Sequence, residues 1–330
     1  MRFAPLLLTL LVAFAPCRVR AEEPAPKAFG APRFELVSSE QLAAEGFDAS
    51  QSRGVFIGIN DFDDESVVDL KFAADDAIDL AHRFSELGLI RAEGIALGIA
   101  GPPAKQESAA RLADLRAKGM PEPFRPVRTE ILKRIGQASR QAGAKGLLVL
   151  TISTHGFHER GDALFAVDTT ADLDLESGIL AATSVNYDSV VQLMLRSPAP
   201  RRLALVDACR ERLQRTGTKA IGRDPALPAG LSERLAQTKG IALVLAAPPG
   251  GYGYDGGEDD RRQPIRNGVF THFLLRGLDG EAPVTSPTVS SRWAGCLTIH
   301  RSASRVGQRR TGARWGMAAR ASAFANSIAG

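Results

Sequence analysis

The stretch LALVDACRER, residues 203–212, carries the pattern that decides the fold. Its first four residues, 203–206, form an apolar run with the composition of a buried β-strand. The chain then changes abruptly to Asp207, Ala208 and Cys209, followed by charged residues. A buried strand that delivers a cysteine to a charged loop is typical of open α/β sheets, in which functional groups gather at the carboxyl ends of the strands.

Similar apolar runs recur along the chain and alternate with segments of helical periodicity. The predicted strands are residues 54–59, 95–100, 146–153, 202–206 and 240–247. The predicted helices are residues 73–87, 128–142, 184–195 and 268–278, the second with Thr129 as its N-cap. Strands separated by helices require right-handed crossovers and a mostly parallel sheet. The pattern therefore predicts an α/β fold, a three-layer α/β/α sandwich with a mostly parallel sheet.

Two long stretches interrupt this alternation, residues 101–127 and 214–239. Both are rich in Pro, Gly, Lys and Arg, and both are longer than simple connections between elements. We interpret them as surface loops, the first with a short helix near residues 106–116.

The first 21 residues have the pattern of a cleaved secretory signal, with Arg2 before a short apolar run and small residues before position 22. The run is shorter than the roughly 20 residues that span a bilayer, so we expect no membrane span. Lipid attachment at Cys17 is the alternative, and Pro16 disfavours it because a small residue normally precedes such a cysteine. We expect a secreted or periplasmic protein.

The rest of the chain divides into a linker at residues 22–50, a domain at 51–282 and a basic tail at 283–330. The tail is rich in Ser, Arg, Ala and Gly and lacks clear periodicity. Three interpretations stay open: a disordered extension, a surface-binding arm, or an out-of-frame reading of the end of the gene, which the composition favours slightly. An independent sequence of the locus would decide among them.

Net charge argues against nucleic acid as a partner once it is divided along the chain. The whole sequence is +4, but residues 1–21 hold three arginines and residues 283–330 hold seven, with no acids in either segment. Residues 22–282 therefore carry a net charge of −6. A nucleic-acid-binding domain would be expected to present a basic face instead.

After the predicted signal, Cys209 and Cys296 are the remaining cysteines, too few for a disulfide framework. His155 and His158 are the only close histidines, and no CxxC pair accompanies them, so we predict no metal ligands and no required cofactor.

The carboxyl ends of the predicted strands bring His155 and Cys209 to one edge of the sheet. A cysteine nucleophile needs a base within hydrogen-bond reach, and His155 supplies one. The N–H groups of Gly156 and Cys209 are suited to hold the oxyanion of an acyl-transfer intermediate. The alternative is that His155 and Cys209 are unrelated residues that end two strands, because free cysteines are most often small buried apolar residues.

At this point the sequence resembles the caspase-like cysteine peptidases, especially metacaspases and their bacterial relatives. The resemblance covers residues 54–282 and rests on an apolar block ending in His-Gly and, 54 positions later, a second block ending in Asp-Ala-Cys. The blocks are GVFIGIND, DLKFAADDAIDLAHRF, LLVLTISTHG, ALFAVD, LALVDACRE and NGVFTHFLLRGL. The resemblance implies a caspase-hemoglobinase-like fold, Cys209 as the nucleophile and His155 as the acid/base.

The same resemblance places an acidic substrate pocket at Asp207, two residues before Cys209, and at Asp76 on the first helix. Two carboxylates that face a P1 arginine or lysine would form charge-assisted hydrogen bonds, and arginine fits best because its fork can engage both. A peptide or protein with Arg or Lys at P1 is the implied substrate. The alternative for Asp76 is a solvated helix residue beside Asp75 and Asp79.

Some features depart from the family pattern or leave alternatives open. The His block reads Ser153-Thr154-His155-Gly156, with Thr in place of the usual Gly. Calcium activation stays open, with the acidic residues at 61–65 and 255–260 as candidates, although such runs are usually solvated loops. Two rival interpretations are a non-catalytic caspase-like binding or regulatory module and an unrelated α/β protein.

Overall fold

A computed structural model describes residues 46–65, 67–158, 164–170, 183–208, 211–212, 241–246, 255–259, 261–279 and 298–300. The α-helices among them are α1 (Ala73–Glu86), α2 (Gln106–Ala117), α3 (Arg128–Gln141), α4 (Tyr187–Leu195) and α5 (Val269–Leu278). Short 3₁₀ turns occur at Ala49–Gln51 and Ala92–Gly94. In this part of the chain no helix is long and apolar enough to cross a bilayer.

Among the described residues, the central sheet contains the five strands that the alternation of apolar runs predicts and a sixth, at its edge, that lies in the segment 283–330 and was not predicted. They are β1 (Arg53–Ile59), β2 (Ile95–Ala100), β3 (Leu147–Ser153), β7 (Arg201–Asp207), β9 (Ile241–Leu245) and the edge strand β12 (Thr298–His300). Their order is β12-β9-β7-β3-β1-β2, and every pair is parallel except β12 with β9. This order places β7 beside β3, so Asp207 lies opposite Ser153 in the register.

Smaller strands form two further sheets close to the carboxyl edge of the central one. The first contains β4 (Gly156–His158), β5 (Leu164–Val167), β6 (Ser184–Asn186) and β8 (Glu211–Arg212), in the order β6-β5-β4-β8. The second is the antiparallel pair β10 (Asp255–Glu258) and β11 (Pro264–Gly268). These short strands were not predicted, because runs of two to five residues carry too little periodicity.

Two hydrophobic cores cover the two faces of the central sheet. On one face α1 contributes Ile78 and Phe84, and α5 contributes Phe270. On the other face α3 contributes Ile131, and α4 contributes Met194. Since helices pack on both faces of a mostly parallel sheet, the predicted three-layer α/β/α architecture is confirmed.

Glycine is required where α1 crosses β1. A Cβ atom at Gly58 would collide with the backbone carbonyl of Ala73, the first residue of α1. The bare backbone at position 58 therefore lets the first turn of α1, with Asp75 and Asp76, approach the sheet closely.

Three local predictions differ from the structure. The segment predicted as one helix at residues 184–195 divides into β6 and α4, because Asn186 caps α4 by accepting the N–H of Asp188. Thr129 is not the N-cap of α3, which begins at Arg128 after Val127. In residues 101–127 the predicted short helix is confirmed as α2, but the stretch is not entirely on the surface, because Lys105 is buried. The stretch at 214–239 lies outside the described residues.

The N-terminus of α3 is capped by a distant residue, Asp168, instead of Thr129. Asp168 is buried, and its carboxylate accepts the N–H of Arg128 at 2.6 Å and both the N–H and the hydroxyl of Thr170. An aspartate 40 positions along the chain leaves no local sequence signal, so the helix pattern alone could not identify this cap.

We expect Asp168→Ala to lower the free energy of unfolding by about 1–3 kcal/mol, because it removes the acceptor of the partly buried N–H groups of Arg128 and Thr170. Denaturant unfolding followed by far-UV circular dichroism measures this change. Glu130→Ala is the matched control: this surface carboxylate pairs only with Lys133 and Arg134 across the described contacts, and its loss should cost less than about 1 kcal/mol. Equal losses for the two variants would contradict the capping role.

Candidate active site

The candidate site lies at the carboxyl edge of the central sheet, where β3 and β7 end together. Beyond the pair Ser153 and Asp207, the N–H of Thr154 donates to the carbonyl of Asp207 at 3.1 Å. The segments that follow β3 and β7 then pair again, since Phe157 of β4 lies opposite Glu211 of β8. Residues on both sides of His155 are thus held beside residues on both sides of Cys209. Cys209 itself lies outside the described residues.

His155 follows β3 directly and is oriented by a backbone group. Its Nε2 lies 2.6 Å from the carbonyl oxygen of Val68, which can only accept. This contact assigns the proton of the neutral ring to Nε2 and leaves the lone pair on Nδ1. The ring also packs beside Phe62, with 5.3 Å between ring centroids. The His155 ring is therefore held in one orientation, with Nδ1 as its basic atom.

Gly156, the predicted contributor to an oxyanion hole, is the first residue of β4 and is buried. It follows His155 at the same edge of the sheet. The second predicted contributor, the N–H of Cys209, lies outside the described residues.

Asp76 lies in the first turn of α1 and is buried, with 1% of its surface exposed. Its carboxylate accepts the hydroxyl of Ser153 at 2.9 Å, the side-chain amide of Asn267 at 2.9 Å and the N–H of Gly268 at 3.0 Å. All three donors are neutral. The alternative of a solvated helix residue is therefore wrong for Asp76, and Asp75 and Asp79 are buried as well.

Asp207 closes the other side of the same pocket. Its carboxylate faces Thr271, whose hydroxyl lies 3.3 Å from Oδ2. A Cβ atom at Gly268 would collide with carboxylate oxygens of both Asp76 and Asp207, so glycine leaves the space that the two acids share. The structure thus brings together the two predicted pocket acids, which are 131 positions apart in the sequence.

Burial controls the ionisation of this pair. Burial raises the pKa of Asp76 well above its usual range, and the neighbouring Asp207 carboxylate raises it further. Burial likewise raises the pKa of Asp207 to about 7, against the hydrogen bonds from Thr271. Neither acid forms an ion pair with a cation among the described residues. The pair is therefore suited to hold a proton that an incoming cation would displace.

Asp255, on β10, lies near Asp207 and binds the segment after Val68, the residue that orients His155. Its carboxylate accepts the N–H of Lys71 at 2.5 Å and the N–H of Phe72 at 3.2 Å. These residues follow Val68, whose carbonyl receives the histidine proton. Asp255 also adds negative charge beside Asp207, which contributes to the raised pKa of Asp207.

The acidic segments considered for calcium are used in other ways where the structure describes them. Asp63 pairs with Arg125, Asp255 binds backbone N–H groups, and Asp259 accepts the N–H groups of Arg261 and Gln263. Within the described residues, no cluster of three or more acidic, histidine or cysteine side chains has a geometry suited to a metal ion.

Sequence reasoning missed Ser153, Asn267, Gly268 and Thr271. The last three lie in the block NGVFTHFLLRGL, where β11 ends and α5 begins. An Asn-Gly pair before a helical pattern is typical of a turn, so the sequence does not indicate that this pair contacts Asp76.

The binding of a cationic ligand to this pocket should depend on pH. We expect the affinity for benzamidine, a small amidinium cation, to rise between about pH 6 and about pH 8, because Asp207 and Asp76 lose their shared proton over that range. Asp255 and His155 face the same region, so calorimetry on Cys209→Ala protein in two buffers of different ionisation enthalpy should count the protons released. A pH-independent affinity would contradict a shared proton.

The stability of the ligand-free protein should also depend on pH, but it should fall with rising pH, whereas the affinity for the cation rises. Because folding raises the pKa of Asp207 from 3.8 to about 7, the free energy of unfolding should fall as the pH rises from about 4 to about 7.

Comparison with known proteins places the chain in a family. The model of the caspase domain, peptidase family C14, matches residues 52–291. No curated protein matches the chain. Among solved structures the chain resembles the protein GSU0716 from Geobacter sulfurreducens, with 17% identity over 69% of this chain and 82% of that one and a TM-score of 0.41. It also resembles caspase-1 from Spodoptera frugiperda, with 13% identity over 70% and 71% of the respective chains and a TM-score of 0.39.

The match to the family model extends over well more than half of the sequence. It includes both ends of the candidate site, from β1 to α5. The chain therefore belongs to the caspase-type protease family, peptidase C14, and has its α/β fold.

Proposed function

We propose that this protein is a cysteine endopeptidase that cleaves peptides after basic residues, arginine in preference to lysine. The observation that carries the proposal is the pair of carboxylates, Asp76 and Asp207, which share one pocket and have no cationic partner among the described residues. This pocket lies at the end of β7, two residues before Cys209 and beside the strand that leads to His155.

The reaction is an acyl transfer in which Cys209 and His155 act as a dyad. Nδ1 of His155 takes the thiol proton, the Cys209 sulfur attacks the scissile carbonyl carbon, and the oxyanion accepts hydrogen bonds from the N–H groups of Gly156 and Cys209. The tetrahedral intermediate collapses as His155 returns the proton to the leaving amine, which gives a thioester. Water, deprotonated by His155, then hydrolyses the thioester and frees the cysteine.

The hydrogen bond from His155 to Val68 supports this role. The carbonyl of Val68 stabilises the imidazolium that forms when Nδ1 takes the proton, because it accepts the proton that Nε2 keeps. Held at 2.6 Å, the ring does not need to reorient between the acid and base steps.

Charge supports the preference for a basic P1 residue. An arginine entering between Asp76 and Asp207 would displace the proton that the two acids share and would form an ion pair with both carboxylates. Lysine would bring a single point charge and fewer directed bonds. An acidic P1 side chain would meet like charge. The same argument predicts peptide or protein substrates and no nucleic acid.

The location of the protein is part of the proposal. The basic and apolar pattern of residues 1–21 supports export through a cleaved signal, to the periplasm or outside the cell. Mass spectrometry of the protein isolated from its own cells tests this, and an intact Met1 would count against it.

The test is hydrolysis of fluorogenic peptides with Arg, Lys or Asp at P1 by protein that starts at residue 22, with and without calcium. We expect cleavage after Arg to exceed cleavage after Lys and to exceed cleavage after Asp by about 100-fold or more, as the loss of two charge-assisted bonds implies. Cys209→Ala, made in parallel, should be folded and inactive. A folded wild-type protein that cleaves none of the peptides would overturn the proposal and favour a non-catalytic module.

A further inference from the structure

A second buried acid lies one turn along α1 from the pocket acid Asp76. Asp79 is 1% exposed, and its carboxylate receives the Ser108 hydroxyl at 2.7 Å and the Arg111 guanidinium at 2.8 Å. Its closest cation is Lys105, whose Nζ is in direct contact with Asp79 Oδ2. The charge of Lys105 holds the pKa of Asp79 below its usual range despite burial. Asp79 thus has two cations and a hydroxyl group as partners.

Asn267 joins this ion pair to the pocket. Its Nδ2 donates to Asp76 Oδ1 at 2.9 Å and to Asp79 Oδ2 at 3.1 Å. Its Oδ1 accepts from Lys105 Nζ at 2.8 Å. The amide cannot be reversed without facing its NH₂ group toward the lysine ammonium and its oxygen toward two carboxylates. Lys105 therefore fixes the orientation of Asn267.

The Asn267 amide separates the Lys105 ammonium from Asp76, the acid that has to stay unpaired if it is to bind the substrate. One amide group lies between the Lys105 ammonium and the Asp76 carboxylate. Both charges are buried, so a direct contact between them would be strong and would neutralise half of the pocket. Lys105 has a flexible stem of four carbons that could turn from Asp79 toward Asp76 if the amide were absent.

We propose that Asn267 is a specificity-determining positioning residue: its amide keeps the Lys105 ammonium on Asp79, and Asp76 thereby stays available to a basic P1 side chain. This inference rests on the proposed function. Asn267 does not touch the substrate. It acts through Asp76, by deciding which cation that carboxylate meets.

The closest alternative is that Asn267 only supports the local fold and donates one bond to Asp76. Both interpretations predict weaker binding of a basic ligand when Asn267 is replaced. They differ in the response to a second replacement, at Lys105, because only the shielding role predicts that removal of the ammonium restores the pocket.

The experiment compares Asn267→Leu, Lys105→Met and the double variant, with peptides that carry Arg or uncharged norleucine at P1. We expect Asn267→Leu to raise KM for the Arg peptide about tenfold, with kcat and the norleucine KM within about twofold of wild type. The double variant should return the Arg KM to within about threefold of wild type. Asp79 keeps Arg111 and Ser108 in every variant, which supports folding without Lys105.

Lys105→Met alone tests the inference without a change at Asn267. If the amide shields Asp76, the Arg KM should stay within about threefold of wild type, since Lys105 does not neutralise the pocket acid. A tenfold fall in that KM would show that Lys105 already weakens Asp76 and would overturn the inference. A double variant no better than Asn267→Leu would overturn it as well.

Benzamidine binding to the same variants in a Cys209→Ala background separates this inference from the proposed function. If wild type cleaves nothing but the amidine binds and follows the expected order of variants, peptidase function is wrong and the shielding role stands. If cleavage after Arg is found and Asn267→Leu changes neither KM nor amidine affinity, the shielding role is wrong and the function stands. Absence of both cleavage and binding overturns both.

Discussion

His155→Ala is expected to lower kcat/KM for the P1 Arg peptide by about 10²–10⁴-fold, with most of the loss in kcat. The variant removes the base that activates the cysteine and the acid that protonates the leaving amine. The binding pocket is left intact, because Asp76 and Asp207 take their contacts from Ser153, Asn267, Gly268 and Thr271 instead of from the histidine. Steady-state kinetics measures the changes in kcat and KM separately, and benzamidine affinity shows whether the pocket is intact.

His82→Gln is the matched control for this variant. The ring of His82, on α1, lies between Glu86 of the same helix and Asp114 of α2, and it makes none of the site contacts described above. We expect its kcat/KM to remain within about twofold of wild type, as is usual for substitutions away from a site. Activity of His155→Ala within tenfold of wild type would remove His155 from the mechanism and leave the Val68 contact as a structural feature.

The residues that the sequence identified at this site are those placed by regular elements. His155 and Asp207 each follow a long apolar run, and parallel strands bring the ends of such runs to one edge. The α/β architecture followed from the same runs, because strands of five to seven residues separated by helices allow few topologies. Asp76 was identified through the family resemblance, since a lone acid in a helix has no distinctive pattern.

What could not be predicted depends on contacts between distant segments. Lys105 lies in a stretch rich in Pro and Lys that reads as surface, yet it is buried because Asp79, on a different helix, provides a counter-charge. Asn267 is buried for a similar reason, as its amide satisfies two acids and one cation. Such pairings have no period along the sequence, so only the packed structure reveals them.

Neutralising the pocket acids is expected to give the second large effect. Asp76→Asn and Asp207→Asn should each raise KM for the P1 Arg peptide about 10- to 100-fold, because each removes one charge-assisted hydrogen bond to the guanidinium. The norleucine peptide should be affected less than about threefold, since it makes no such bond. Steady-state kinetics with both peptides gives the change in P1 selectivity directly.

The double variant distinguishes a coupled pair of acids from two independent ones. Because a shared proton already lowers the charge of the wild-type pocket near pH 7, the loss in Asp76→Asn/Asp207→Asn should be smaller than the product of the single losses. The deficit should shrink at about pH 8, where both acids of the wild type are more fully ionised. Asp63→Asn, at a surface acid paired with Arg125, is the control and should leave both KM values unchanged. If the losses of the two single variants multiply in the double variant at every pH, the two acids contact the substrate independently. If KM rises equally for the Arg and norleucine peptides, the carboxylates maintain the fold of the site and do not recognise the charge of the P1 side chain.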